Sequence, residues 1–150
     1  MEINTLICTT IEQSKRLIEL GLKSETADMH YVKKTMDSMG NPINDEFDIP
    51  HYGNTNSKYG RYVVMNFSNY ETLPAWSLHR LMAIMPDKIK MMSITMEWWD
   101  FHLQIYKTTI SYIGLRVVTA FNQNDNLYDN IIDCIEWLIK EKYFDKEFLI

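Results

Sequence analysis

Cysteine is scarce in this chain, with two in 150 residues, Cys8 and Cys134. Neither belongs to a C-x-x-C pair, and no Cys/His cluster has zinc spacing, which excludes a disulfide scaffold and a zinc module. A reducing, cytoplasmic setting is the expectation. No segment approaches the roughly 20 apolar residues a spanning helix needs, so no membrane partner is expected. The opening "MEINTLICTT" has an early acid and no long apolar run, and predicts no signal peptide. Glycine numbers only five. No Gly-rich phosphate loop, no G-x-S-x-G and no H-E-x-x-H occurs. No nucleophile has an obvious base, so no catalytic residue, metal ligand or cofactor is assigned, and the reading leans against an enzyme. Internal repeats and low-complexity tracts are lacking too.

What is present is ordinary for a globular chain. Hydrophobic residues make up 46% and charged residues 23%, enough for one domain with a core of its own and against global disorder. The ten methionines are read first as fillers of irregular core gaps. Net charge is −5 but uneven: −4 over residues 1–50, +3 over 51–120 and −4 over 121–150. The acidic total argues against non-specific nucleic-acid binding, which rests on many Lys/Arg–phosphate contacts. The mildly basic middle is left as the electrostatic candidate for an anionic ligand.

Periodicity predicts helices at both ends and β-structure between them. In "TTIEQSKRLIELG", Thr9 and Glu12 have capping-box spacing, Ile11, Ile18 and Leu22 line one face, and Gly21 ends the helix. Ser24 is placed to cap a second, short helix in "KSETADMHYVKK". Residues 40–60 are rich in Gly, Pro and Asn and predict a long loop. Arg61–Phe67, "RYVVMNF", predicts a strand. Lys88–Phe121 predicts two or three antiparallel strands with turns near Trp99–Asp100 and Lys107–Thr109. A last helix over about Leu127–Lys140 has an apolar stripe of Ile131, Cys134, Ile135 and Leu138. The expected fold class is α+β: one domain, residues 1–150, with a small antiparallel sheet of three to four strands and N-terminal, middle and C-terminal helices packed on it.

The segment "PAWSLHRLMAIMP", Pro74–Pro86, looks most like chemistry and dissolves mostly into helix grammar. Ser77 is the N-cap, Trp76 a staple against Leu81, and Pro86 the stop. Leu78, Leu81, Met82 and Met85 form the predicted buried face. His79 and Arg80 are left over in the first turn, where cations are mildly unfavourable and where free N–H groups suit an anion. They are the candidate anion-binding residues. In "EWWDFH", Asp100 and His102 share a face if the strand is continuous, and Trp98 and Trp99 point to opposite faces, marking an interaction surface. Asp129, Asp133 and Glu136 form a polar stripe, read as solvated.

"LIELGLKSETADM" has the outline of a helix-turn-helix, although Glu25 and Asp28 on the second helix would face phosphates. Together, "TIEQSKRLIELGLKSETADM", "LPAWSLHRLMAIMP" and "YDNIIDCIEWLIKEKYF" resemble small uncharacterised proteins of gut Bacteroides-type bacteria, their prophages and mobile elements. That resemblance implies a bacterial or phage cytosolic context and carries no site residues. The leading expectation is a non-enzymatic protein–protein interaction module, with an unknown protein partner or a homo-oligomer. The alternatives are a nucleic-acid-associated accessory protein using the helix-turn-helix-like N-terminus, and an anionic-ligand-binding or hydrolase-like protein acting through His79, Arg80 or His102.

Overall fold

The computed structural model describes residues 7–48, 50–53, 70–115 and 117–150. The strand expected at Arg61–Phe67 lies outside the described residues, as does much of the long loop. The fold is α+β, with its strands in two antiparallel sheets rather than one. The chain divides into two compact units. One takes the chain up to Leu81 together with Phe148–Ile150, and the other runs Met82–Glu147.

In the first unit, helix α1 (Ile11–Glu19) is capped by Thr10, whose hydroxyl accepts from Gln13 N while Gln13 Oε1 accepts from Thr10 N. The capping box is therefore Thr10–Gln13, one residue later than Thr9–Glu12. Thr9 is otherwise engaged: its hydroxyl meets Ser14 Oγ at 2.8 Å and accepts from Trp76 N. Gly21 ends the helix as expected, at φ 93°. Gly21 N donates to Ile18 O and Leu22 N to Leu17 O, the two bonds of a Schellman ending. The second helix does not form. Ser24–Thr26 is a single 3-10 turn, and the chain enters strand β1 (Met29–Lys34). Here pairing overrides local preference: six residues of β1 face β3 (Tyr70–Ala75), from Met29↔Ala75 to Lys34↔Tyr70, and β2 (His51–Tyr52) pairs on the other side. The helix-turn-helix outline of the N-terminus is thereby corrected to helix, turn and strand, with no second helix to enter a groove. Cys8, Met29, Tyr31 and Ala75 form a buried cluster, with Ile11, Phe47 and Leu73 against it.

Helix α2 (Leu78–Ile84) carries the chain from one unit into the other. Its buried residues are Leu81 and Ile84, with Met85 after it; Met82, expected inside, is exposed. The second unit is a four-stranded sheet in the order β4-β5-β6-β7, built from Lys88–Met92, Trp98–Tyr106, Thr109–Ile113 and Val117–Phe121. Trp99 and Asp100 pair with Met91 and Lys90 inside β5, so no turn lies there; the turn expected near Lys107 is present. Asp100 reads as a turn residue in isolation, but it sits on the open face with Lys88 Nζ 3.6 Å from its carboxylate.

Helix α3 (Leu127–Lys140) packs on β6 and β7, with Ile131, Cys134, Ile135 and Leu138 buried as predicted. Asn126 caps it, its side chain accepting from Tyr128 N. Trp137 meets the rings of Tyr112, Phe121 and Tyr143 at 6.3, 6.0 and 5.6 Å. Buried Asn130 uses all its capacity, donating to Thr108 O and Asn124 O and accepting from the backbone and side-chain N–H groups of Asn124.

Candidate functional site

The leftover cations of the Pro74–Pro86 segment are placed by hydrogen bonds. Ser77 caps α2 as expected, its hydroxyl accepting from Arg80 N at 3.1 Å. The same hydroxyl donates to Asp28 Oδ2, and Ser77 N donates to Asp28 Oδ1 at 2.8 Å. A carboxylate of the chain itself therefore already stands at the start of this seven-residue helix. Arg80 Nε donates to Thr26 O, tying α2 to the 3-10 turn. Thr26 also holds Trp76, whose Nε1 donates to the Thr26 hydroxyl at 2.9 Å, and that hydroxyl donates to Lys23 O. Trp76 is fully buried. It is a hydrogen-bonded core residue and more than a staple. Of the two cations, His79 is the one that is exposed and outside this network.

The net charge of the basic middle does not fall on residues 70–115. Residues 70–115 hold Arg80, Lys88, Lys90 and Lys107 against Glu71, Asp87, Glu97 and Asp100, four against four. The excess of three over residues 51–120 comes from Lys58, Arg61 and Arg116, outside the described residues.

Strand β5 alternates cleanly. Trp98, Asp100, His102, Gln104 and Tyr106 are exposed on one face; Trp99, Leu103 and Ile105 are half-buried and Phe101 is buried on the other. Asp100 and His102 do share a face, and the ionic partner there is Lys88. Among the described residues no group of three or more His, Cys, Asp or Glu is arranged to hold a metal ion. His79 and Arg80 belong to the first unit, Asp100 and His102 to the second. Of the tryptophan pair, Trp98 faces solvent and Trp99 turns toward the helix side of the sheet. On the last helix, Asp133 accepts from Asn124 Nδ2 at 2.9 Å, tying the middle of the acidic stripe to the asparagine cluster.

The feature that composition alone did not show is the tip of the β4–β5 hairpin. Met92 is 51% exposed, Ile94 98%, Met96 77% and Trp98 63%. Between them the polar residues bind one another. Ser93 N donates to Glu97 O at 2.7 Å and Met96 N to Ser93 O at 3.0 Å. Ser93 Oγ accepts from Thr95 N and Glu97 N and meets Thr95 Oγ1 at 2.7 Å. The result is a three-residue loop, Ile94–Thr95–Met96, whose last member stands in the left-handed region at φ 64°. Glycine or asparagine usually holds that position, because an L residue there costs about 1–2 kcal/mol. The alternation Met-x-Ile-x-Met-x-Trp was legible in the sequence, but it reads equally as one buried face of a strand.

Buried thiols complete the inventory. Burial pushes Cys8 up, against a weak hydrogen bond shared with the Tyr31 hydroxyl, and pushes Cys134 up to about 12. Both are free thiols. Tyr112 is also raised by burial, its hydroxyl donating to Pro86 O at 2.7 Å. None of these is a poised nucleophile.

No protein-family model, curated protein or solved structure matches the chain. Among the described residues no helix is long and apolar enough to cross a membrane.

Proposed function

We propose that this chain is a protein–protein interaction module that docks through the tip of the β4–β5 hairpin. The observation that carries the reading is the outward display of Met92, Ile94, Met96 and Trp98 at one hydrogen-bonded hairpin end. Large apolar side chains gathered at one exposed place mark interaction surfaces, whereas single ones are unremarkable. The tip has the Met and Trp of an interface core, with one charged residue, Glu97, between Met96 and Trp98. The proposed surface takes Trp98 and leaves Trp99 to the interior face. A non-enzymatic role fits buried thiols with raised pKa and an Arg80 engaged in tying α2 to its neighbouring turn. The setting proposed with it is a bacterial or phage cytoplasm, in keeping with two cysteines left as free thiols.

The test is co-purification from cells that encode the protein, with tagged wild type beside Ile94→Asp and Trp98→Ala. Both variants are expected to keep the wild-type melting temperature and to lose at least tenfold in recovered partner. Equal recovery with all three proteins would overturn the reading.

A further inference from the structure

We infer that Met92 and Met96 are a reversible oxidation site, at which hydrogen peroxide turns the apolar hairpin tip polar; the effect on docking rests on the interaction reading above. Methionine is abundant in the chain, with ten residues, and was expected in the core. Of the eight among the described residues, Met29 and Met85 are buried and Met91 is half-buried, whereas Met36, Met39, Met82, Met92 and Met96 are exposed. A thioether inside the core is shielded from dissolved oxidants, and one in solvent is open to them.

The two thiols do not compete. Cys8 and Cys134 are 1% and 0% exposed, and burial holds the proton on both. The thiolate is the reactive form of cysteine, so peroxide meets the folded chain at its exposed thioethers instead. The methionine sulfur attacks one peroxide oxygen, the O–O bond breaks and an S–O bond forms. The other oxygen departs as hydroxide and takes the proton of the transferred oxygen, giving sulfoxide and water. Sulfur gives up two electrons and peroxide is reduced by two.

The setting of Met92 and Met96 gives their oxidation a consequence. Met92 and Trp98 are partners across the β4–β5 ladder, so their side chains are neighbours on one face. Met96 stands two residues before Trp98 and is 77% exposed. Two of the four large apolar residues at this hairpin end are therefore methionines, and their oxidation replaces half of that set with polar sulfoxides. Met39 is more exposed still, at 85%. It lies in the turn where Asp37 N donates to Asn41 O, in the first unit, while the hairpin belongs to the second. Its oxidation leaves the tip unchanged, which makes it an internal control.

The experiment treats the purified chain with limiting hydrogen peroxide and follows each sulfur by peptide mass spectrometry. Met92, Met96 and Met39 are expected to form sulfoxide at least tenfold faster than Met29 and Met85, with Cys8 and Cys134 left as thiols. Retention on a phenyl matrix reads the polarity of the tip. It is expected to fall on oxidation of wild type and of Met39→Leu, and to change little for the double variant Met92→Leu/Met96→Leu. Leucine keeps the volume and apolar character and has no sulfur to oxidise. Methionine sulfoxide reductases acting on both sulfoxide epimers should restore the retention of wild type. Sulfoxide forming no faster at Met92 and Met96 than at Met29, or an equal loss of retention in the double variant, would overturn the site.

The same co-purification reads the consequence for docking. Peroxide treatment of the tagged wild type is expected to cut recovered partner at least tenfold, and the reductases to bring it back. The double variant should keep its recovery through the treatment, and Met39→Leu should lose it as wild type does. If oxidised wild type recovers its partner while Ile94→Asp loses it, the effect of oxidation on docking is overturned and the interaction reading stands. If Ile94→Asp leaves recovery unchanged, the interaction reading fails and the docking effect with it, while the sulfoxide rates and the phenyl retention decide the oxidation site on their own.

Discussion

Two short stretches handle their side chains in opposite ways. Between Pro74 and Arg80 the groups that looked chemical, His79 apart, are consumed inside the protein: Trp76 by Thr26, Ser77 by Asp28, and Arg80 by the Thr26 carbonyl. Between Met92 and Trp98 the Ser93 and Thr95 hydroxyls bond within the loop and the large apolar groups are left outside. The first stretch resembles a site and is structural. The second resembles a buried strand and instead turns its large apolar side chains to solvent. A residue's type says what it can do; whether its neighbours already use it decides what is left for function.

The sharpest break of this contrast is chemical access. An Ile94→Cys variant introduces a thiol at the tip, which should react with a disulfide reagent at the rate of a free thiol. Cys8 and Cys134 should react on the order of 10³-fold more slowly until the protein opens. Raising the pH to 9 should not remove that protection, because Cys134 holds its proton up to about 12. The sign for stability follows from the same shift. The folded state keeps a proton that the unfolded chain, with an ordinary value of 9.0, has lost. Stability should therefore fall as pH rises from about 9 toward 12. Fast modification of Cys134 in the native protein would contradict its place on the buried face of α3.

Mutational stability should then divide the two stretches. Trp76→Ala removes a fully buried side chain and the Nε1–Thr26 bond, and should cost about 3–5 kcal/mol in urea unfolding. Asp28→Ala strands Ser77 N and should cost about 1.5–3 kcal/mol, the range for hydrogen bonds to a charged group. Arg80→Ala should cost about 1 kcal/mol and His79→Ala close to nothing. At the tip, Ile94→Asp and Trp98→Ala should stay within about 0.5 kcal/mol of wild type. A large loss at the tip, or none at Trp76, would reverse the assignment of the two stretches.

Local signals were legible where they depend on neighbours in sequence. The last helix, its stripe Ile131–Cys134–Ile135–Leu138, the Gly21 ending, the Ser77 cap and the turn after Tyr106 are all found where the pattern puts them. The helix endings also show the limit of residue type. Gly21 closes α1, yet the same pair of bonds closes α3 around Lys142 at φ 65°. A Schellman ending needs a left-handed residue, and glycine is only the easiest one. The cap of α1 was displaced by one residue because Thr9 is held by Ser14 and Trp76, the latter distant in sequence.

By itself the sequence determined the α+β class, the helical ends, the lack of a recognisable catalytic motif and the short list of residues worth inspecting. Each follows from composition or from spacings of a few residues. Only the tertiary structure decided that Ala27–Lys34 is not a second helix, because β1 meets β3 across some forty residues of chain. It likewise decided that Arg80 is tied inward and that Met92, Ile94, Met96 and Trp98 face out. Alternation at period two marks the two faces of a strand, but which face meets solvent is settled by what packs on the other, and in this sheet that is α3.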